Sequence, residues 1–300
     1  MTLSIITINY NGASSTISTV ESIRSVLKNF AFEYEIVVID NNSLQSDFDL
    51  LKSLSNVRLI RNSENVGFAA ANNIGFREST GQYIMMINSD ATVKDDIFTP
   101  LIQFLEQNPI IGAVSPKIVY DREPYVIQFG GYRLCDRFLF DIQSPLHGRL
   151  ASEVEDICAK SSFAHGAAMM IRRELLFAVG SMREDYFLYF EEIDFSLKIL
   201  KSGYQIWYYP HSVVYHNASF STGGVTGLKI YYNSRNRLYL AKNNLRGFDR
   251  LVALTMQLGF SFPKSVVKLL LKRKFSESWA YCRGVQDFIL NRRGKSIHNS

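Results

Sequence analysis

Cysteine is scarce in this 300-residue chain, and Cys135, Cys158 and Cys282 stand far apart without CxxC or CxxH spacing. They offer neither a disulfide framework nor a zinc signature, a usage expected of a reducing compartment. Long apolar runs are lacking as well. The uncharged stretch at residues 251–263 has 13 residues and ends in proline, too short to cross a bilayer. No basic segment followed by a long apolar region opens the chain, so no secretory signal is expected. Neither GxGxxG nor GxxxxGK followed by Ser or Thr occurs, which removes the dinucleotide fingerprint and the phosphate-cradling P-loop. Internal repeats and low-complexity tracts are also missing.

What is present is ordinary globular composition, 47% hydrophobic and 20% charged, enough for a core domain with an appendage. The net charge of +5 hides an asymmetry. Residues 242–300 carry 12 Lys and Arg against 3 Asp and Glu, leaving 21 against 25 in residues 1–241. A mildly acidic body therefore ends in a basic tail.

The most informative stretch is Tyr83-Ile84-Met85-Met86-Ile87-Asn88-Ser89-Asp90. Its unbroken apolar run predicts a strand buried on both faces, and the carboxyl ends of such strands border the ligand crevice of an open α/β sheet. Residues 3–8, 34–39 and 57–60 read as further strands, and Asn9-Tyr10-Asn11-Gly12 as a turn. Ser14 or Ser15 could cap a helix running to about residue 29. Asn65-Val66-Gly67-Phe68 opens an alanine-rich helix suited to close packing on a sheet. Such alternation predicts a Rossmann-like, mostly parallel sheet.

The second half is less regular. Strands are expected over 112–118 and 163–171, with loops and short hairpins over 123–155. A helix starting near Glu191 should stop at Gly203, and strand-like segments follow at 207–210 and 213–216. Residues 219–224 read as a flexible loop, and the chain turns helical again from Tyr231. Val266, Val267, Leu269, Leu270 and Leu271 lie among Lys264, Lys268, Lys272, Arg273 and Lys274, the composition of a helix lying in an anionic membrane surface. The tail lacks interleaved stacking aromatics, so no nucleic-acid partner is expected.

Three polar clusters fall at predicted strand ends: Thr7 to Tyr10, Asp40 to Asn42, and Asn88 to Asp90. Any one of them alone is explained by helix capping. In a parallel sheet all three meet at one edge, which suits a ligand with hydrogen-bonding edges and negative charge. With no P-loop, phosphates there would need a metal at Asp90, and oxygen ligands suit Mg²⁺ or Mn²⁺. Acidic first turns are common, so Glu191 and Glu192 read equally as helix-end charges or as an acid–base pair.

The order of Ser4-Ile5-Ile6-Thr7-Ile8-Asn9-Tyr10-Asn11, Val38-Ile39-Asp40-Asn41-Asn42-Ser43, Asn65-Val66-Gly67-Phe68 with Asn72-Asn73, and Asn88-Ser89-Asp90 resembles the GT-A family 2 glycosyltransferases. The bacterial rhamnosyltransferase-like branch that builds cell-surface polysaccharide is most similar. The likeness continues through Gly166 to Arg173, Phe187 to Asp194, Gly203-Tyr204, His216, and Tyr231-Tyr232-Asn233-Ser234-Arg235-Asn236, about four-fifths of the chain.

The resemblance implies a GT-A domain over residues 1–240, with a nucleotide-sugar half at 1–115 and an acceptor half at 116–240, followed by a basic amphipathic helical tail at 241–300. Thr7, Asn9, Tyr10, Asp40, Asn42, Gly67, Asn72 and Asn88 would line the donor nucleotide, with Arg235 either a phosphate contact or a surface charge. Asp90 matches the last position of the family's DxD element and would hold Mg²⁺ or Mn²⁺ with His216. Glu192 matches the catalytic base, with Glu191 a rival and Asp194 a more distant one. His165, Gly166 and Trp207 would shape the sugar and acceptor pocket. Two departures stand out: Asn88 replaces the first carboxylate of DxD, and the base is Glu where relatives carry Asp.

The expected activity is therefore inverting, metal-dependent transfer of a sugar from a dTDP- or UDP-sugar, with rhamnose favoured, to a lipid-linked or polysaccharide acceptor. The expected place is the cytoplasmic face of the membrane, peripherally bound. A sugar nucleotidyltransferase is the rival enzyme, but it wants a Gly-rich basic loop where Asn9-Tyr10-Asn11-Gly12 stands. A silent membrane-surface scaffold is the rival of another class.

Overall fold

The computed structural model describes residues 1–28, 30–217 and 226–296. The loop expected at 219–224 lies outside the described residues. The first part alternates strand and helix: β1 (Leu3–Asn9), α1 (Ala13–Val26), β2 (Tyr34–Asp40), α2 (Gln45–Leu51), β3 (Arg58–Arg61), α3 (Phe68–Glu78) and β4 (Tyr83–Ile87). Short β5 (Ala91–Thr92), α4 (Phe98–Gln107) and β6 (Ile111–Tyr120) follow. The irregular middle holds only β7 (Ile127–Phe129), β8 (Arg133–Leu134), β9 (Ile142–Gln143) and β10 (Ala159–Lys160). Next come β11 (Ala168–Arg172), α5 (Leu175–Val179), α6 (Glu191–Lys201) and β12 (Gln205–His216). The chain ends in helices α7 (Thr226–Asn244), α8 (Gly247–Met256), α9 (Phe262–Leu271) and α10 (Phe275–Ile289).

The sheet runs β10-β12-β6-β11-β4-β1-β2-β3, with β5 on β12 and β7 on β6. Strands β3, β2, β1 and β4 are parallel; β11 runs against both β4 and β6, and β12 is parallel to β6. This is the mostly parallel, helix-flanked GT-A sheet. The apolar run of β4 is continuous because both faces are covered. Met85 and Ile87 pack with α1 and α4 residues on one side, and Ile84 and Met86 join Ala69, Ala71 and Phe195 on the other. Each such fully buried side chain is worth about 1.5–3 kcal/mol.

Three local expectations differ from the structure. Helix α1 starts at Ala13, and its first turn is capped by Asp47, whose Oδ1 accepts the Ala13 N–H at 2.9 Å, rather than by Ser14 or Ser15. The third strand sits one residue later than expected and lies half exposed at the sheet edge. The segments around 207–210 and 213–216 form one strand, because an irregularity between Tyr209 and Val213 absorbs the residues around Pro210 while pairing with β6 continues.

At the C-terminus, α10 packs on α7. A Cβ at Gly284 would lie 2.0 Å from the Ser234 hydroxyl and 2.4 Å from the Tyr231 carbonyl, so only glycine permits this approach. Tyr186, Leu238, Tyr239, Val285 and Phe288 form a shared cluster there. No helix among the described residues is long and apolar enough to cross a membrane.

Candidate active site

At the carboxyl edge, β1 and β2 end in register, with Asn9 opposite Asp40. The Asn9 amide donates to Asp40, Ser43 and Asp47, each at 2.9 Å, while its oxygen accepts the Thr16 hydroxyl at 2.7 Å. Asp40 also accepts the Ser43 N–H and lies 3.5 Å from Arg61. Beside it, Asn41 donates to Asn65 at 2.9 Å and accepts the Val66 N–H at 3.1 Å. This buried lattice ties together the loops after β1, β2 and β3. Above it, Tyr10 and Asn42 are exposed to solvent.

Strand β4 turns sharply at Asn88-Ser89-Asp90 into β5. Thr19 of α1 donates to the Ser89 carbonyl at 2.9 Å, and the Ala91 N–H returns to the Asn88 carbonyl. His216 ends β12 opposite Ala91, which puts its Nε2 3.0 Å from Asp90 Oδ1 and 3.3 Å from the Asn88 amide. Its Nδ1 lies 2.7 Å from Gln128 Oε1, an oxygen that only accepts, so Nε2 is the nitrogen left to face a cation. No group of three His, Cys, Asp or Glu converges among the described residues. One carboxylate, one imidazole and one amide nonetheless fit a hard divalent cation that takes its remaining oxygens from a diphosphate and water.

The acidic pair begins α6, behind an unusual turn. Phe187, Tyr189 and Phe190 all have positive φ, at 65°, 67° and 77°. Left-handed conformations at non-glycine residues cost about 1–3 kcal/mol each and persist only when held. Helix α7 holds these. The Asn236 amide donates to the carbonyls of Tyr186, Leu188 and Tyr189 at 2.8–2.9 Å, and Arg235 donates to the Tyr186 carbonyl at 2.9 Å. On the other side the Phe187 carbonyl accepts the Phe68 N–H at 2.7 Å.

The two acids at the start of α6 differ in environment. Glu191 is buried, Oε2 has no hydrogen-bond partner, and burial followed by the charge of Glu192 pushes its carboxyl well above the usual range. Glu192 is half-buried, raised by burial, and its Cγ lies 3.6 Å from where a Gly166 Cβ would be. Gly166 precedes Ala167, whose carbonyl accepts the Asn88 N–H at 2.9 Å. Glu192 and the Asn88 end of β4 thus approach the same short segment, Gly166-Ala167, that leads into β11. His165 accepts the Ala167 N–H at 3.1 Å, and burial, then His216 and His147, lowers its pKa to about 3, so it is neutral. Tyr132 stacks on His165 at 6.2 Å, and burial, then Glu192, raises its phenol.

Several expected site residues are placed elsewhere. Thr7, Asn9 and Asp40 are 0% exposed, so their side chains lie beneath the surface of the carboxyl edge. The Thr7 hydroxyl is left without a partner, and the Asn9 and Asp40 groups are spent on the lattice. The Asn72 amide turns back to the Phe68 carbonyl within α3. Gly67 (φ +86°) is buried against Phe187. Arg235 is neither a surface charge nor open to a phosphate: it is 0% exposed and donates to Tyr231, Gly294, Tyr186 and Asn236. Asp194 is buried, accepting from Tyr186 and Asn244 with Arg183 at 3.6 Å. Trp207 packs edge-on to Phe104 of α4, which takes it away from His165 and Gly166. Gln128 and Tyr132 were not legible in the sequence, because they lie in the stretch without periodicity.

The description "Glycosyl transferase family 2" matches residues 4–179. The chain belongs to this family. Among family relatives, the hexosyltransferase Agl10 of Haloferax volcanii, of low-salt glycan biosynthesis, is 26% identical over 302 residues, covering 98% of this chain and 92% of its own. The dTDP-rhamnosyl transferase RfbF of Shigella flexneri is 24% identical over 220 residues, 70% of this chain and 71% of RfbF. The chain spans only 23% of uncharacterized protein y4gI of Sinorhizobium fredii, which it matches at 28% identity over 69% of its own length. In fold it is similar to GalNAc-T7, solved with UDP, GalNAc and Mn²⁺, at a TM-score of 0.59 and 22% identity, over 72% of this chain and 44% of that one. The mannosyltransferase PcManGT of Pyrobaculum calidifontis, solved with GDP-Man and Mn²⁺, gives 0.58 and 15% over 97% and 87%.

Proposed function

We propose that this family 2 chain moves a sugar from a nucleoside-diphosphate sugar to an acceptor hydroxyl with inversion, Glu192 acting as the base. The observation that carries this is the Glu192 side chain over Gly166, one residue from the Ala167 carbonyl that accepts the Asn88 N–H. Base and leaving-group edge therefore flank one space. Glu192 takes the proton from the acceptor hydroxyl, whose oxygen bonds to the anomeric carbon as the bond to the diphosphate oxygen breaks on the opposite side. Burial raises the Glu192 carboxyl, which makes it a better base near neutral pH. Asp90 and His216 would hold Mg²⁺ or Mn²⁺, which neutralises charge growing on the diphosphate. Tyr10 and Asn42 are the open groups for the nucleotide, and His165 borders the sugar.

The names of Agl10 and RfbF support a hexose, with dTDP-rhamnose favoured, and a role in making a glycan, and the acceptor we favour is lipid-linked or polymeric. The setting we favour is bacterial cell-surface glycan synthesis, with the chain bound peripherally at the cytoplasmic face of the membrane.

Release of nucleoside diphosphate from dTDP-rhamnose and UDP-sugars tests this. Wild-type turnover should vanish with chelator and return with Mn²⁺. Glu192→Gln should lose roughly 10²–10⁴-fold while still binding nucleotide. Asp90→Ala should lose both turnover and Mn²⁺ binding, and Gln128→Leu should weaken Mn²⁺ about 10-fold or more. Unchanged turnover in both Asp90→Ala and Glu192→Gln would sink the assignment.

A further inference from the structure

Helix α9 is amphipathic in sequence, yet none of its residues is buried. It packs on residues 257–261 and on α10, and one apolar side is left open. Val267, Leu270 and Leu271 are 53, 44 and 81% exposed, and Phe275 and Trp279 at the start of α10 are 65 and 61% exposed. Eleven of the nineteen exposed large apolar side chains among the described residues fall between 248 and 290, so the exposure is concentrated in the C-terminal helices.

The charges around it have one sign. Lys264, Lys268 and Lys272 recur every fourth residue. At 100° per residue they form a row directly beside the edge marked by Val267 and Leu271. Residues 251–286 hold six Lys and Arg and a single acid, Glu277, which is paired with Lys274 at 2.8 Å.

We infer that α9 and the first turns of α10 dock on an anionic lipid bilayer, lying in its surface with the apolar edge inserted. Lysine stems alongside such an edge let the ammonium groups reach headgroup phosphates while the chains stay apolar. An exposed tryptophan at the rim suits the water–lipid boundary. A second copy of the chain is a poorer occupant, because pairing this face with itself would bring two lysine rows together without acids to meet them. The inference rests on the membrane-borne acceptor proposed above, but its test uses no transfer reaction, so either reading can fail alone.

The chain has two tryptophans, and Trp207 is held against Phe104, so a Trp207→Phe variant reports on Trp279 alone. With vesicles of equal phosphatidylglycerol and phosphatidylcholine, Trp279 emission should shift to the blue and be quenched by brominated acyl chains. Binding to phosphatidylcholine alone should be at least tenfold weaker. Flotation of the otherwise unaltered chain should agree, which covers a Trp207→Phe protein that does not fold. Val267→Asp with Leu271→Asp should cut binding tenfold or more while nucleotide release without vesicles is unchanged. Lys264, Lys268 and Lys272 changed to Gln should remove the anionic preference. Failure to float with anionic vesicles would overturn the inference. So would a Trp279 shift that follows protein concentration without lipid, which would assign the face to a second copy.

Discussion

Glu191 is a carboxylic acid with nowhere to put its charge. It is 3% exposed, Oε2 has no partner, and burial with the adjacent Glu192 raises it above the ordinary value of 4.5. A group raised in the folded state contributes stability below its unfolded value, and that stability is lost as pH rises through the folded one. Glu191→Gln should therefore melt roughly 2–4 °C higher than the parent at about pH 8, with the gain gone below about pH 4.5. Thermal melts followed by circular dichroism across that range check it, and equal melting at the alkaline end would show that Glu191 is not strained. The sequence made the acidic pair legible but not its division of labour. Consecutive helical residues point about 100° apart, and which of them meets the interior depends on what the turn before α6 is packed against. Arg235 was illegible for the same reason: its partners at Tyr186 and Gly294 lie about fifty residues or more away in sequence.

The turn from Tyr186 to Phe190 is shaped from outside, since its carbonyls are satisfied by Asn236 and Arg235 of α7. Removing the amide in Asn236→Leu takes the donor from the half-buried Leu188 and Tyr189 carbonyls, while Tyr186 keeps Arg235, and frees three left-handed residues to relax. The expected result is a folded but less stable protein whose kcat falls tenfold or more while donor and Mn²⁺ binding persist. A normal kcat in that variant would show that the turn keeps its shape unaided. Elements whose logic is local were readable in advance: the five-residue β4 with both faces buried, the alanines of α3, and the glycine after α6. Those that depend on a partner were not. Asp47 caps α1 from the next helix, and the single long β12 exists because β6 runs alongside it.

On the scale of the whole molecule, the family match stops at residue 179, yet the proposed base Glu192, the proposed metal ligand His216 and the clamp on the turn before α6 all come later. Helix α7 in turn shares its cluster with α10, through Val285 and Phe288. A chain ending at residue 240 keeps every proposed catalytic and metal residue but loses α10. It should lose nucleotide release in solution, with no vesicle present, and melt several degrees lower, by roughly 2–4 °C for each kcal/mol of packing removed. Turnover at the parental rate in that truncation would make residues 241–296 a dispensable tail. The composition shift at 242 was plain in the sequence; the return of α10 onto α7 was not, because the glycine that allows it looks like any other.

The contact between Gly67 and Phe187 sets a limit on how this site can be altered. A Cβ at position 67 would sit 2.5 Å from the Phe187 carbonyl oxygen, and φ there is +86°. Any side chain at 67 would push on the turn that carries the proposed base Glu192, even if the intended change were only to the loop before α3. Any exchange of the loops on either side has to be designed around this joint as a fixed point.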